Sequence, residues 1–231
     1  MVTSNTSSSD SGLCVYCGEP ATTEDHVPPK NLFPSNTTGI LKVPACLSCN
    51  RGSSKDDEFF RGILVNDDRI YQNSEASEIV AAYERSLRRP QAIGLHITMM
   101  KMKKRFPLIS PTGLIYGEGT VIKTDFVRER KVLERITKGL FFHEFQRPHP
   151  PNNSINAFSS KHMQGRKDRL DTVLELLSFI KPANKKGANP EIFKYGFGVA
   201  EDNADGTFWV LTFYNKIPFF IYSTPPAPQG E

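Results

Sequence analysis

Four cysteines near the N-terminus constrain the fold of this 231-residue chain more than any other feature of its sequence. They form two pairs, Cys14-x-x-Cys17 and Cys46-x-x-Cys49, with 28 residues between the pairs and no cysteine in the rest of the chain. Two residues between thiolates let both sulfurs reach one tetrahedral ion at about 2.3 Å. Disulfides that stabilise a whole fold would be spread along it. The clustering therefore predicts a zinc site, and because a shell of four sulfurs is closed, this zinc is expected to be structural.

The segment between and just after the cysteine pairs carries side chains suited to phosphodiester hydrolysis. Asp25 and His26 follow the first pair, and Asn50 directly follows the last cysteine. An imidazole with a pKa of about 6.5 can deprotonate water near neutral pH. Taken singly, each residue also has an ordinary role, as an exposed loop histidine, a chance Asp-His pair or a helix cap. If two short strands join the pairs and Asn50 begins a helix, the zinc would bring the three side chains together.

The order C-x-x-C, Asp-His, C-x-x-C-Asn resembles the zinc-bearing HNH, or ββα-metal, nucleases over the first quarter of the chain. The resemblance implies that His26 is the general base and that Asp25 and Asn50 hold a catalytic divalent ion. Hard oxygen ligands of this kind suit Mg²⁺ or Mn²⁺. Many family members have histidine at the third motif position, but this chain has no histidine between His26 and His96. Asn50 would therefore take that role.

Several basic residues are weaker candidates for substrate binding. Arg51, Lys55 and Lys30 are expected beside the site and are suited to holding a scissile phosphate, although solvated surface is an equal interpretation. The basic residues of 101–105, of the helix predicted at 126–145 and of 161–169 are interpreted as solvated faces, which is the usual role of charged helix surfaces.

We expect an α+β protein with a small N-terminal zinc-bound ββα-metal module followed by a larger mixed α/β C-terminal domain. Residues 1–12 are polar and serine-rich and predict a disordered lead-in. Residues 13–66 are the expected HNH nuclease module. Residues 67–231 are the expected C-terminal domain, with a role in target recognition, regulation or dimerisation left open.

Periodicity and turn residues predict the individual elements. A capping-box-like start at Ser54, with Asp57 three residues on, predicts a helix that ends near Val65. The other predicted helices are Ser74–Arg89, Phe126–Phe145 and Arg169–Phe179. The predicted β elements are a hairpin or bent strand pair over Gly113–Lys123 and strands over Phe193–Ala200 and Phe208–Tyr222, placed around a turn at Asn203–Gly206. Trp209 is expected in the core of the sheet.

Composition leaves the partner open, and it is the motif that favours nucleic acid. The formal charge of +4 permits DNA binding without requiring it. DNA is the expected substrate and RNA is not excluded. No membrane association is expected, the thiols suit a cytoplasmic location, and a homodimer is possible. By analogy, an HNH module with an unrelated partner domain is an arrangement of restriction and phage-defence proteins. The alternatives are a non-catalytic zinc module that binds nucleic acid or protein, and a ribonuclease effector.

Overall fold

The computed structural model describes residues 12–159, 171, 173, 185–200 and 203–226, and within them it mixes helices with strands in several sheets. This confirms the mixed α and β class. The elements are, in chain order, β1 (Thr23–Val27), β2 (Leu41–Ala45), α1 (Leu47–Gly52), α2 (Ser54–Val65), α3 (Ser77–Leu87), α4 (Ile93–Met102), β3 (Lys103–Ile109), β4 (Ile115–Ile122), α5 (Phe126–Phe145), β5 (Ser154–Ser159), β6 (Lys185–Lys186), β7 (Phe193–Ala200), β8 (Asn203–Phe213) and β9 (Ile217–Thr224).

An antiparallel hairpin of β1 and β2 occupies the segment between the cysteine pairs, and α1 and α2 follow it. Thr23 pairs with Ala45 at one end of the hairpin. Because the first cysteine pair precedes Thr23 and the second follows Ala45, both pairs lie at this same end. The backbone amide of Val15 donates to the carbonyl of Pro44 (3.1 Å), which holds the first cysteine turn against β2.

Helix α2 ends at Val65, as the sequence predicts, but its start differs slightly from the prediction. Ser54 is its first residue and Ser53 occupies the N-cap position. The Ser53 hydroxyl donates to the carbonyl of Asn50 (2.8 Å) and to Asp57 Oδ2 (3.3 Å). The predicted pairing of Ser54 with Asp57 is therefore wrong by one residue, because α1 and α2 join almost directly and Ser53 fills the junction.

The predicted helix Phe126–Phe145 is confirmed with the same bounds as α5. It begins where Asp125 accepts hydrogen bonds from the amides of Val127 and Arg128, and it ends at Gln146 in the left-handed region (φ 54°). Apolar positions at helical spacing bury one face of α5. That face consists of Val132, Leu133, Ile136, Leu140 and Phe141.

Helix α5 packs tightly against β1 through Gly139. A Cβ built on Gly139 would lie 2.5 Å from Cγ2 of Val27, a buried β-branched side chain with little freedom to move. We expect Gly139→Ala to lower the free energy of unfolding by about 1–3 kcal/mol, because α5 must shift away from the hairpin. Urea denaturation measures this.

Gly94→Ala is the matched control for this substitution. A Cβ at Gly94, within α4, meets open space. The control is therefore expected to be neutral or slightly stabilising, since alanine favours a helix by about 1 kcal/mol over glycine. Equal stability of the two variants would contradict the close packing of α5 on β1.

The C-terminal part contains a five-stranded antiparallel sheet with the strand order β5-β9-β8-β7-β6. The predicted strand Phe193–Ala200 is confirmed as β7. The predicted turn at Asn203–Gly206 is wrong, because these residues begin β8. The predicted strand Phe208–Tyr222 is in fact split between β8 and β9 by a turn at 214–216, where Tyr214 and Asn215 have positive φ angles of 51° and 59°.

The prediction for Gly113–Lys123 is also corrected. This segment supplies only one strand, β4, whose antiparallel partner is β3 at Lys103–Ile109. Helix α4 extends to Met102, directly before β3 begins. The basic run at 101–105 therefore spans the end of a helix and the start of a strand. The predicted helix Arg169–Phe179 lies outside the described residues, apart from positions 171 and 173.

One hydrophobic core extends through the N-terminal and C-terminal parts of the chain. Its cluster contains Val27 and Phe60 from the cysteine-bearing part together with Leu133 from α5 and Phe213 from the sheet. Trp209 is fully buried and its Nε1 donates to Thr207 Oγ1 (2.9 Å), which confirms its predicted place in the sheet core. Among the described residues, no helix has the length and apolar character needed to cross a membrane.

Candidate metal centre and adjoining polar network

The four cysteines come together at one end of the β1–β2 hairpin. Their Sγ atoms all lie within 4.8 Å of one another, and the Sγ atoms of Cys17 and Cys46 are 3.7 Å apart. Sulfurs bound to one tetrahedral Zn²⁺ at about 2.3 Å are separated by about 3.8 Å. The thiols are free rather than disulfide-bonded. Four thiols so arranged can hold one structural zinc ion, as the sequence predicts.

The start of α1 prepares one of these sulfurs for metal binding. Cys46 is the N-cap of α1, and its Sγ lies 3.1 Å from Ser48 Oγ and 3.4 Å from the amide nitrogen of Cys49. Hydrogen bonds from Ser48 and then from the Cys49 amide lower the pKa of the Cys46 thiol to about 6. The thiolate is the form that binds zinc. Burial raises the pKa of the neighbouring Cys49 thiol, so a bound ion rather than the local geometry alone would keep all four sulfurs deprotonated.

Asp25 and His26 project from opposite faces of β1, because successive side chains of a strand alternate. Asp25 faces the interior and is 6% exposed. His26 is half-buried on the other face, opposite Lys42 on β2. Partial burial, followed by the positive charges of Lys42 and Lys30, lowers the pKa of His26 below 6.5. The imidazole is therefore neutral, and able to accept a proton, at neutral pH.

The side chain of Asn50 ties α1 to β1. Its Nδ2 donates to Thr23 Oγ1 (3.1 Å) and to the backbone carbonyl of Glu24 (3.0 Å). The structure thus brings Asn50 against the strand that carries Asp25 and His26. Within the described residues, its Oδ1 accepts no hydrogen bond. The side chain combines a structural contact through nitrogen with an oxygen that remains available to a ligand.

Arg135 of α5 completes a buried polar network around Asp25. Its Nη1 lies 3.1 Å from Asp25 Oδ2 and also donates to Ser53 Oγ, while its Nη2 donates to Asp57 Oδ1 on α2. The hydroxyl of Tyr16 donates to the same Asp25 oxygen (2.8 Å). The side chains of Arg135, Asp25 and Asp57 are 11%, 9% and 13% exposed, so one guanidinium bridges two largely buried carboxylates.

Burial shapes the protonation of this network. It raises the pKa of Asp57 to about 6, in spite of the opposing attraction of Arg135. Burial and then the negative charge of Asp25 raise the pKa of the Tyr16 hydroxyl, which keeps Tyr16 protonated as a hydrogen-bond donor. Arg135 thus supplies the positive charge that offsets two nearby acids, and the arrangement is stable only while that charge is present.

Sequence reasoning missed Arg135 and assigned it to the solvated face of α5, which the structure corrects. A signal was present in the spacing of Arg128 and Arg135, which are two helical turns apart. They pair with Asp56 and Asp57, the adjacent acids in the first turn of α2. Arginines at this spacing beside an apolar stripe can face an acidic helix start.

The weaker substrate-binding candidates are all exposed. Lys30 lies close enough to His26 to influence its pKa. Arg51 is at the end of α1, and Lys55 is in the first turn of α2, where its backbone carbonyl accepts from Arg128 Nη2 (2.8 Å). None of the three side chains forms a salt bridge with a residue that the structure describes.

Comparison of the chain with protein-family models, with curated proteins and with solved structures gave no match.

Proposed function

We propose that the chain is a metal-dependent endonuclease that hydrolyses phosphodiester bonds in DNA, with residues 13–66 acting as an HNH-type ββα-metal module. The observation that carries the proposal is that three features lie on or beside the same β-hairpin. A β-hairpin bears Asp25 and His26, the helix after it places Asn50 against the same strand, and four cysteines close one end of the hairpin.

His26 is the proposed general base. It is half-buried, accepts or donates no hydrogen bond within the described residues, and has a pKa lowered by burial and by neighbouring lysines. A neutral imidazole with a free nitrogen can take a proton from an attacking water. Lys30 is close enough to His26 to lower its pKa and is suited to attract the negatively charged backbone of a nucleic acid.

Asp25 and Asn50 are the proposed holders of a catalytic Mg²⁺ or Mn²⁺. Each keeps one side-chain oxygen, Oδ1, that accepts no hydrogen bond from the described residues, and such hard oxygens suit either ion. A bound ion would offset the negative charge that develops on the leaving oxygen. Arg135 and Tyr16 would hold Asp25 in position through its other oxygen.

The hydrogen bonds and burial of Asp25 also favour a second candidate function. A carboxylate that is 6% exposed and bonded to Arg135 and Tyr16 has a sufficient structural role without a metal. In that case the hairpin and its zinc would form a non-catalytic module that binds nucleic acid or protein. The two candidates differ in whether His26 has a chemical role.

Cleavage of supercoiled plasmid, linear DNA and RNA with Mg²⁺ or Mn²⁺ separates these candidates. We expect DNA nicking, and we expect His26→Ala to reduce its rate by about 10²–10⁴-fold, the usual contribution of a general base. His96→Ala is the matched control, because His96 is exposed on α4 and outside the site. Unchanged nicking by His26→Ala would refute the proposed mechanism. If no substrate were cleaved, the non-catalytic binding module would be favoured. Cleavage of RNA alone would identify a ribonuclease.

A further inference from the structure

A cavity of about 700 Å³ lies between α2, α3, α4 and α5. Neither His26, Asp25 nor Asn50 lines it. Its volume falls within the range of about 300–1,000 Å³ that is usual for small-molecule sites. The cavity is therefore large enough for a ligand of about the size of a nucleotide.

Positive charge dominates the cavity wall. Among the described residues, five cationic side chains line it, against one carboxylate, that of Glu58. The five are Lys55, Arg61, Arg85, Arg89 and Arg128. Clustered cations without matching acids repel one another, so such a wall is best stabilised by an anion.

The carboxylate on the wall does not neutralise the remaining cations. Glu58 Oε1 already accepts hydrogen bonds from Arg61 Nη2 and from Ser86 Oγ (2.6 Å). Arg128 forms an ion pair (2.7 Å) with Asp56, a residue that does not line the cavity. The three other cations, Lys55, Arg85 and Arg89, form no salt bridge with any described residue and are exposed at the rim. Their charge is available to a ligand.

Arg61 supplies an independent indication of a ligand. Only 8% of this residue is exposed, yet beyond the two bonds of its Nη2 its guanidinium donates to no described residue, and its Nε is a buried donor without a partner. The guanidinium also lies over the ring of Tyr83, at 5.4 Å from its centroid. Buried donors without acceptors are rare and costly, and are often explained by a bound group.

We propose that this cavity binds a phosphate-bearing ligand of nucleotide size, either a free nucleotide or a nucleotide within a nucleic-acid strand. The planar guanidinium groups of arginine match phosphate oxygens in geometry and charge. Leu95, Ala82 and Ala92 provide an apolar part of the wall on which the uncharged part of the ligand can lie. The inference uses none of the three residues proposed for catalysis; it shares only Lys55 with the substrate-binding candidates.

Calorimetric titration of the zinc-loaded full chain tests the proposal. The probes are adenosine 5′-monophosphate, cytidine 5′-monophosphate, a short single-stranded oligonucleotide, inorganic phosphate and adenosine. We expect a nucleotide or the oligonucleotide to bind, adenosine to bind at least about tenfold more weakly, and affinity to fall as salt increases. Binding of mononucleotides identifies a free ligand as the source, whereas binding of the oligonucleotide alone identifies a strand.

The double variant Arg85→Ala/Arg89→Ala assigns the binding to this cavity. Both residues are exposed, so the variant is expected to fold, and we expect it to weaken binding by about tenfold or more. Lys104→Ala/Arg105→Ala on β3 is the matched control, which removes two exposed cations away from the cavity and should bind as the parent chain does. Unchanged binding by the Arg85→Ala/Arg89→Ala variant would overturn the proposal. So would adenosine or inorganic phosphate binding as tightly as the nucleotides, or the absence of binding by every probe.

Discussion

Cys46→Ser is expected to abolish stoichiometric zinc binding and to lower the melting temperature by about 10 °C or more. Cys46 links the end of β2 to α1, and its sulfur is one of four that meet at the end of the hairpin. Structural zinc sites contribute many kcal/mol to folding, because the site does not exist in the unfolded chain. Zinc content is measured by elemental analysis, and stability by thermal denaturation with and without a chelator.

Leu47→Ser is the matched control for the cysteine substitution. Leu47 is the next residue, is 46% exposed and contributes no sulfur. This variant should keep one zinc per chain and nearly the parental melting temperature. If Cys46→Ser retained both, the four cysteines would not form a structural metal site.

The second large effect is expected at Arg135. Arg135→Ala removes the only guanidinium that the described residues offer to both Asp25 and Asp57, and leaves two largely buried carboxylates without it. Removal of one partner of a buried ion pair destabilises by about 3–5 kcal/mol. We therefore expect a loss of this size in the free energy of unfolding measured with urea, while zinc content stays at the parental value.

A surface ion pair provides the control for Arg135. Arg105 and Glu118 are 3.6 Å apart with side chains 81% and 68% exposed. Arg105→Ala should therefore cost about 1 kcal/mol or less. A similarly small cost for Arg135→Ala would mean that water, rather than Arg135, satisfies the two buried acids.

The Arg135→Ala variant should also respond to pH in a defined direction. Asp57 has a folded-state pKa of about 6, raised above the value of about 3.8 expected in the unfolded chain. A carboxyl group with a raised folded-state pKa favours folding when protonated, and this contribution is lost as the pH rises through the folded value. Without Arg135 the pKa of Asp57 rises further, so the deficit of the variant should be smaller at pH 6 than at pH 8.

The elements that sequence predicted well depend on local patterns. The bounds of α5 follow from an apolar stripe at helical spacing with Asp125 at its start. The end of α2 at Val65 follows from a similar stripe. Such elements are determined by residues within one or two turns of each other, which a linear pattern contains.

The errors in the last two strands have a different cause. Aromatic and aliphatic residues lie on both sides of Asn215 and Lys216, and this short polar interruption is the local signal of the turn between β8 and β9. Conversely, residues 203–206 are rich in turn-forming residues, but β8 already begins at Asn203, which pairs with Ala200, and the register shifts before Thr207 pairs with Val199. Pairing with neighbouring strands decides these boundaries, and that information lies elsewhere in the chain.

The candidate site divides in the same way. The sequence alone determined that Cys14, Cys17, Cys46 and Cys49 form one cluster able to hold a metal ion, because the ligand spacing is local within each pair and the doubled motif is specific. Only the tertiary structure decided the surroundings of Asp25. Strand alternation turns it inward, away from His26, and α5 brings Arg135 to it from 110 residues away in the chain. A buried arginine and a solvated one look alike in the sequence of a helix. What distinguishes them is whether another helix packs against the arginine and brings acidic side chains to it.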